Sequence, residues 1–185
     1  MKTSASDADK WKTGDKICLI ISPCDPPTLD LNRAVDLAFA KSFKNVWICP
    51  LFVDDEQARR VSACCQVFCT EYYSATHHQI GYCSVALDKK STAPTVLLEW
   101  FSKRFPFIKI KTCMLASEKG AYEPDVVVTF CGQESFKAKE IWPASKFLQS
   151  PVDMAERIRS GKDESRWFPS GLWEFLTEKA LYRNK

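Results

Sequence analysis

Glycine is scarce in this chain, six in 185 residues, and proline reaches only ten. Collagen-like and low-complexity architectures, which need one or both in bulk, are excluded. No apolar run approaches the roughly 18 residues that a membrane-spanning helix requires. The first 16 residues are polar and carry Asp7, Asp9 and Asp15, unlike the apolar stretch of a signal peptide or an acid-poor presequence. Charge of one sign is missing too. With 26 Lys and Arg against 23 Asp and Glu, the formal net charge is +3. That excess is too small to make nucleic acid or an anionic membrane an obligatory partner.

Apolar and aromatic residues are plentiful. Hydrophobic residues make up 45%, with 12 Phe, 6 Trp and 5 Tyr, enough to bury a core and to exclude a wholly disordered chain. The length suits one domain. Residues 1–15 read as a flexible tail and 16–185 as a single domain. Nine cysteines fall below the density of a disulfide scaffold, and the odd count leaves at least one thiol free. Several sit inside apolar runs, such as Lys16-Ile17-Cys18-Leu19-Ile20 and Val46-Trp47-Ile48-Cys49-Pro50, where cysteine acts as a small hydrophobe. These features point to a soluble protein in a reducing, intracellular setting.

Strand and helix patterns alternate. Residues 17–22 form a short run without polar alternation, as expected of a strand covered on both faces. After Pro23-Cys24-Asp25-Pro26-Pro27, residues Leu31, Val35, Ala38 and Phe39 recur at helical spacing. Residues 46–53 predict a second strand running into a loop. Asp54-Asp55 caps a helix with Ala58, Val61, Cys65 and Phe68 inward. Residues 80–87 predict a third strand. A helix starting at Pro94 buries Val96, Leu97, Trp100 and Phe101 and stops at Pro106. Strands follow at 107–115 and 125–130. Ser150-Pro151-Val152-Asp153 opens a helix that Gly161 closes. A last helix spans about 169–182, with Leu172, Phe175, Leu176 and Leu181 inward. The alternation predicts an α/β fold, a Rossmann-like doubly wound parallel sheet with a C-terminal helical part. In such sheets ligands lie beyond the carboxyl ends of the strands, at the switch point. The loop at 22–30 is therefore the candidate site.

Three ordered segments carry a resemblance. Ser22-Pro23-Cys24-Asp25-Pro26-Pro27-Thr28-Leu29-Asp30-Leu31 resembles the G-S-F-D-P-P-T-x-G-H loop of the nicotinamide/nicotinic acid mononucleotide adenylyltransferases. Ser91-Thr92-Ala93-Pro94-Thr95-Val96-Leu97 resembles that family's T-Y-T-x-D-T-L helix start, with Phe105-Pro106 as its terminator. Ile158-Arg159-Ser160-Gly161, Pro169 and Leu181-Tyr182 resemble its terminal segment. The resemblance spans roughly residues 16–182. It implies the nucleotidyltransferase fold and joining of ATP to a mononucleotide with release of pyrophosphate, a reaction run mainly by positioning and charge stabilisation.

The phosphate-binding positions depart from the pattern. The family's final His falls at Leu31, which can neither donate a hydrogen bond nor carry charge. The preceding Gly falls at Asp30, whose carboxylate competes for a helix N-terminus that otherwise attracts phosphate. In I-S-S-T-x-I-R only Ser150 survives, and the phosphate-binding Arg falls at Ala155. Arg159 lies one helical turn further along and could partly substitute. The acid of the G-A-D motif falls at Ser117. Each such loss typically costs about 10²–10³ in rate. The expectation is a degenerate family member, a non-catalytic nucleotide-binding or scaffold protein. Its shallow mononucleotide pocket would be lined by Ser22, Pro23, Cys24, Asp25, Thr28, Trp142, Ser150 and Arg159. The alternative is a working adenylyltransferase of NAD biosynthesis with relocated phosphate ligands, using ATP and Mg²⁺.

Plainer readings stand beside these. Asp25-Pro26-Pro27 is good turn chemistry whatever it binds. Lys41, Lys44, Arg59 and Arg60 read as solvated helix faces. His77 and His78, the only histidines, lack zinc-ligand spacing to Cys64, Cys65 and Cys69, and adjacent cysteines on a helix diverge by about 100°, so no metal is expected. Trp142-Pro143 and Trp167-Phe168-Pro169 could stack on a base or fill core or interface. Expected ligands are a mononucleotide or ATP. The six tryptophans leave room for a protein partner or a homo-oligomer.

Overall fold

The continuous apolar run at the start of the chain forms β1 (Lys16–Ser22), and its residues divide between two cores. Cys18 and Ile20 point to one face, Ile17, Leu19 and Ile21 to the other, and all five have no exposed surface. A strand buried on both faces has no polar position to alternate with, which is why the sequence shows none. The computed structural model describes residues 15–52, 54–83, 94–116, 123–130, 138–144 and 153–182. Within them the other elements are α1 (Leu29–Ala40), β2 (Asn45–Pro50), α2 (Asp55–Thr76), β3 (Ile80–Tyr82), α3 (Pro94–Arg104), β4 (Lys109–Leu115), β5 (Val126–Phe130), β6 (Glu140–Ala144), α4 (Met154–Arg159) and α5 (Ser170–Glu178).

All six strands are parallel, in the order β3-β2-β1-β4-β5-β6. The chain winds outward from β1 to β3, returns to the other side of β1, and winds outward again. The switch point thus lies between β1 and β4, as the doubly wound pattern requires. One core holds Leu31, Val35 and Ala38 of α1, Val61, Cys65 and Phe68 of α2 and Leu172 and Leu176 of α5. The opposite core packs Phe101 and Phe105 against Ile17, Leu19 and Met114.

Local signals set the helix ends. The Asp54 side chain accepts the Gln57 N–H at 2.7 Å and caps α2. His77 takes the left-handed conformation (φ 58°) at its end, where an L-residue is uncommon. Gly161, φ +75°, follows α4. The cap of α5 comes from far away. Glu71, on α2, accepts the N–H groups of Gly171 and Leu172, both at 3.1 Å. A carboxylate at these free donors anchors the terminal helix to α2.

Several expectations move. The fourth strand starts at Lys109 rather than Phe107, and the last helix ends at Glu178 and turns through residues 179–182. Residues 84–87 of the third strand, the 91–93 segment and Ser150-Pro151-Val152 lie outside the described residues. The strand β6 has no counterpart in the sequence reading, because Pro143 and the flanking charges suggest a loop. Pro143 is tolerated since β6 is the sheet edge. No helix among the described residues is long and apolar enough to cross a membrane.

Candidate functional site

The loop after β1 is built around the Asp25 carboxylate. Ser22 ends the strand beside Pro50 of β2, and its Oγ accepts the Cys24 N–H at 3.4 Å. Cys24 has φ 51°, and the Asp25–Pro26 peptide bond is cis. Thr28 occupies the N-cap position of α1. Between them Asp25 faces α2. Arg60 grips it as a fork, Nε to Oδ1 at 3.0 Å and one terminal nitrogen to Oδ2 at 2.9 Å. Gln57 Nε2 donates to Oδ2 at 2.8 Å, and the Tyr182 hydroxyl donates to Oδ1. The Asp25 and Arg60 side chains are only 12% and 15% exposed.

This geometry sets the charges. Burial pushes the Asp25 carboxyl up, but the hydrogen bonds from Arg60, Tyr182 and Gln57 outweigh it and hold the group below its ordinary value. Asp25 in turn pushes the Arg60 guanidinium up. Tyr182 is pushed far up, first by burial and then by the nearby Cys64 and Asp25. Its ring lies under two cations, with the Arg60 guanidinium 4.9 Å and the Arg159 guanidinium 6.0 Å from the ring centre. Burial also pushes the Cys64 and Cys69 thiols to about 12. Such thiols stay protonated and unreactive near neutrality.

Of the sequence-derived site residues, Ser22, Pro23, Cys24, Asp25, Thr28 and Arg159 gather at this end. Pro23 and Arg159 are exposed, whereas Ser22, Cys24 and Thr28 are buried. Trp142 is not brought there. It is 1% exposed, packs against Phe43 and donates its indole N–H to Glu140 at the amino end of β6. Trp167 and Phe168 are also buried in the core. Asp30 (3% exposed) and Leu31 (2%) lie in the first turn of α1, with Leu31 in the core. Ala155 packs against the same core. Ser117 and Ser150 lie outside the described residues.

Arg60 is what sequence reasoning missed. Next to Arg59 it reads as one of two solvated cations, yet it lies one turn from Gln57 and Cys64 and faces the loop. The four-residue spacing from Asp55–Glu56 to Arg59–Arg60 offered a local alternative partner that the fold does not use for Arg60. Asp25 is already held by three donors, and no group of three or more His, Cys, Asp or Glu residues suited to a metal occurs among the described residues.

The parallel sheet with its loop at the β1–β4 switch defines an α/β protein of the nucleotidyltransferase fold. Solved structures with the same architecture include a protein from Vibrio parahaemolyticus assigned as a nicotinate-nucleotide adenylyltransferase. It shows 16% identity and a TM-score of 0.62, over 92% of this chain and 97% of that one. The nicotinic acid mononucleotide adenylyltransferase of Plasmodium falciparum, complexed with APC, shows 9% identity and a TM-score of 0.68, over 91% and 97%. At such identity the likeness is one of fold. No protein-family model and no curated protein matches the sequence.

Proposed function

We propose that this protein is a non-catalytic, nucleotide-binding member of the adenylyltransferase fold class. The observation that carries the reading is the internal saturation of the switch-point loop. Its one carboxylate is spent on Arg60, Gln57 and Tyr182. Arg60 is spent in return, and Leu31, at the position of the family's phosphate-contacting His, is turned into the core. Adenylyl transfer needs donors aimed at the charge that develops on the phosphates. In this loop Ser22 and Thr28 are buried and the Asp25 side chain is turned to α2. Arg159 is exposed beside Tyr182, and one cation supports binding of a mononucleotide's single phosphate.

The test is incubation of the purified full chain with ATP, Mg²⁺ and either nicotinic acid or nicotinamide mononucleotide, with dinucleotide and pyrophosphate measured against time. Calorimetric titration with each mononucleotide runs in parallel. The expected result is mononucleotide binding, weakened by Arg159→Gln, without dinucleotide. Steady dinucleotide formation proportional to protein would overturn the non-catalytic reading. Absence of heat with either mononucleotide would overturn the binding one.

A further inference from the structure

At the opposite end of the sheet from the switch-point loop lies a cavity of about 390 Å³, lined by Lys16, Lys41, Ser42, Phe43, Lys109, Ile110, Lys111, Glu140 and Trp142. We propose that this amino-end cavity binds a small molecule carrying a di- or triphosphate chain, independently of what the loop at the carboxyl end binds. Its lining holds four lysines and one glutamate. Their placement is fixed by register: Lys16 and Lys109 are direct partners on the adjacent strands β1 and β4. Lys109 and Lys111, two apart on one strand, face the same side.

Like charges on paired strands repel, so this arrangement carries a cost that a bound anion removes. The neighbouring carboxylates do not remove it. Asp15 is taken by Lys44 at 2.8 Å. Asp125 is taken by Lys139 and by Thr112. Glu140 is shared between Lys111 and the Trp142 indole N–H. The carboxyl end of α1, which carries partial negative charge, opens on the same space and suits Lys41. Lys16 and Lys109 stand on strands instead, and no carboxylate partners either among the described residues.

The shape favours a compact ligand. A cavity of this size falls within the range of small-molecule sites. Lys41 is poised 5.4 Å above the buried Trp142 ring, so its ammonium is directed into the cavity wall and not freely into water. Cations converge from β1, β4 and the end of α1, three directions that a chain of linked phosphates can meet at once and a single carboxylate cannot.

The probe is inorganic tripolyphosphate, titrated calorimetrically into the full-length protein at low and at physiological ionic strength, with ATP in a second arm. The expected result is saturable binding weakened about tenfold or more by Lys16→Gln/Lys109→Gln, the loss of two charge-assisted contacts. Lys103→Gln, on the far side of the sheet, should leave it unchanged. If ATP also binds, the part of its affinity lost in the Lys16/Lys109 variant belongs to the amino end. The part lost in Arg159→Gln belongs to the switch-point loop. Either a lack of saturable tripolyphosphate binding or equal weakening by Lys103→Gln overturns the proposal. So does binding of anionic vesicles or an oligonucleotide with no response to tripolyphosphate.

Discussion

Tyr182 donates its hydroxyl to the Asp25 carboxylate across 157 residues of sequence. The contact closes the chain's last described turn over the loop that follows its first strand. Arg60 reaches the same carboxylate from α2, so three distant segments meet on one buried anion. A neutral hydrogen bond inside a protein nets little, but one to a charged acceptor contributes more and is costly to leave half-made. Tyr182→Phe keeps the ring under Arg60 and Arg159 and deletes only the donor. The expected loss is about 1.5–2 kcal/mol, read as a lower urea midpoint at unchanged slope. An unchanged midpoint would show that the hydroxyl is matched by water in the folded state.

The same carboxylate makes stability depend on pH with a definite sign. Its folded-state pKa is depressed below the ordinary 3.8. The stabilisation is therefore fully present above that value and is lost as pH falls through the lower, folded one. Stability attributable to Asp25 should be flat from pH 7 down to about 5 and decline below about 4. Asp25→Asn leaves the Arg60 charge without its partner in a mostly buried site, at a cost of about 2–3 kcal/mol near neutrality. The difference between wild type and variant should shrink as pH drops towards 3. A difference constant over that range would mean that Asp25 is not the titrating group.

The sheet, the outward-and-back winding and the buried helix faces were legible because each rests on a local repeat. β1 is apolar throughout since both its faces are covered. Val61, Cys65 and Phe68 recur because one side of α2 meets the core. β6 was not legible, although its burial alternates, with Ile141 and Pro143 exposed around buried Trp142. Proline at a sheet edge loses no ladder bond and so breaks no rule, but in sequence it reads as a loop. The site residues divide the same way. Asp25 and Arg159 are singled out in the sequence by a loop motif and a helix end. Arg60, Glu71 and Tyr182 were missed because their partners lie 35, 100 and 157 residues away, and no short-range pattern encodes such a pairing. Trp142 was misplaced because an aromatic beside a proline looks the same whether it lines a groove or fills a core.

Glu71 offers a test of how the terminal helix is held. It occupies the free N–H groups of Gly171 and Leu172, and a side chain at Gly171 would put its first carbon 3.1 Å from the Glu71 Oε2. Glu71→Ala should cost about 1–2 kcal/mol, the usual worth of a helix cap. Gly171→Ala should cost a similar amount by displacing the carboxylate, although alanine is otherwise the better helix former. The two losses should not add, because both remove one contact. Hydrogen exchange at Gly171 and Leu172 should quicken in either variant. Additive losses would place the effect of Gly171→Ala elsewhere.

Leu31 is where the proposed non-catalytic reading can be probed by substitution. It is 2% exposed and packed in the core with Ala34 and Val35 of its own helix. A histidine there enters an apolar environment in place of a well-packed leucine. Loss of packing and burial of a polar ring together should cost about 2–4 kcal/mol. Asp30→Gly/Leu31→His/Ala155→Arg should therefore be destabilised and form no dinucleotide from ATP and either mononucleotide. Circular dichroism and a denaturation curve establish that the variant is folded at the assay temperature. Turnover in the folded triple variant would mean that the first turn of α1 can rotate to bring residue 31 out of the core, and would count against the loop's own bracing as the obstacle that the proposed reading assigns to it.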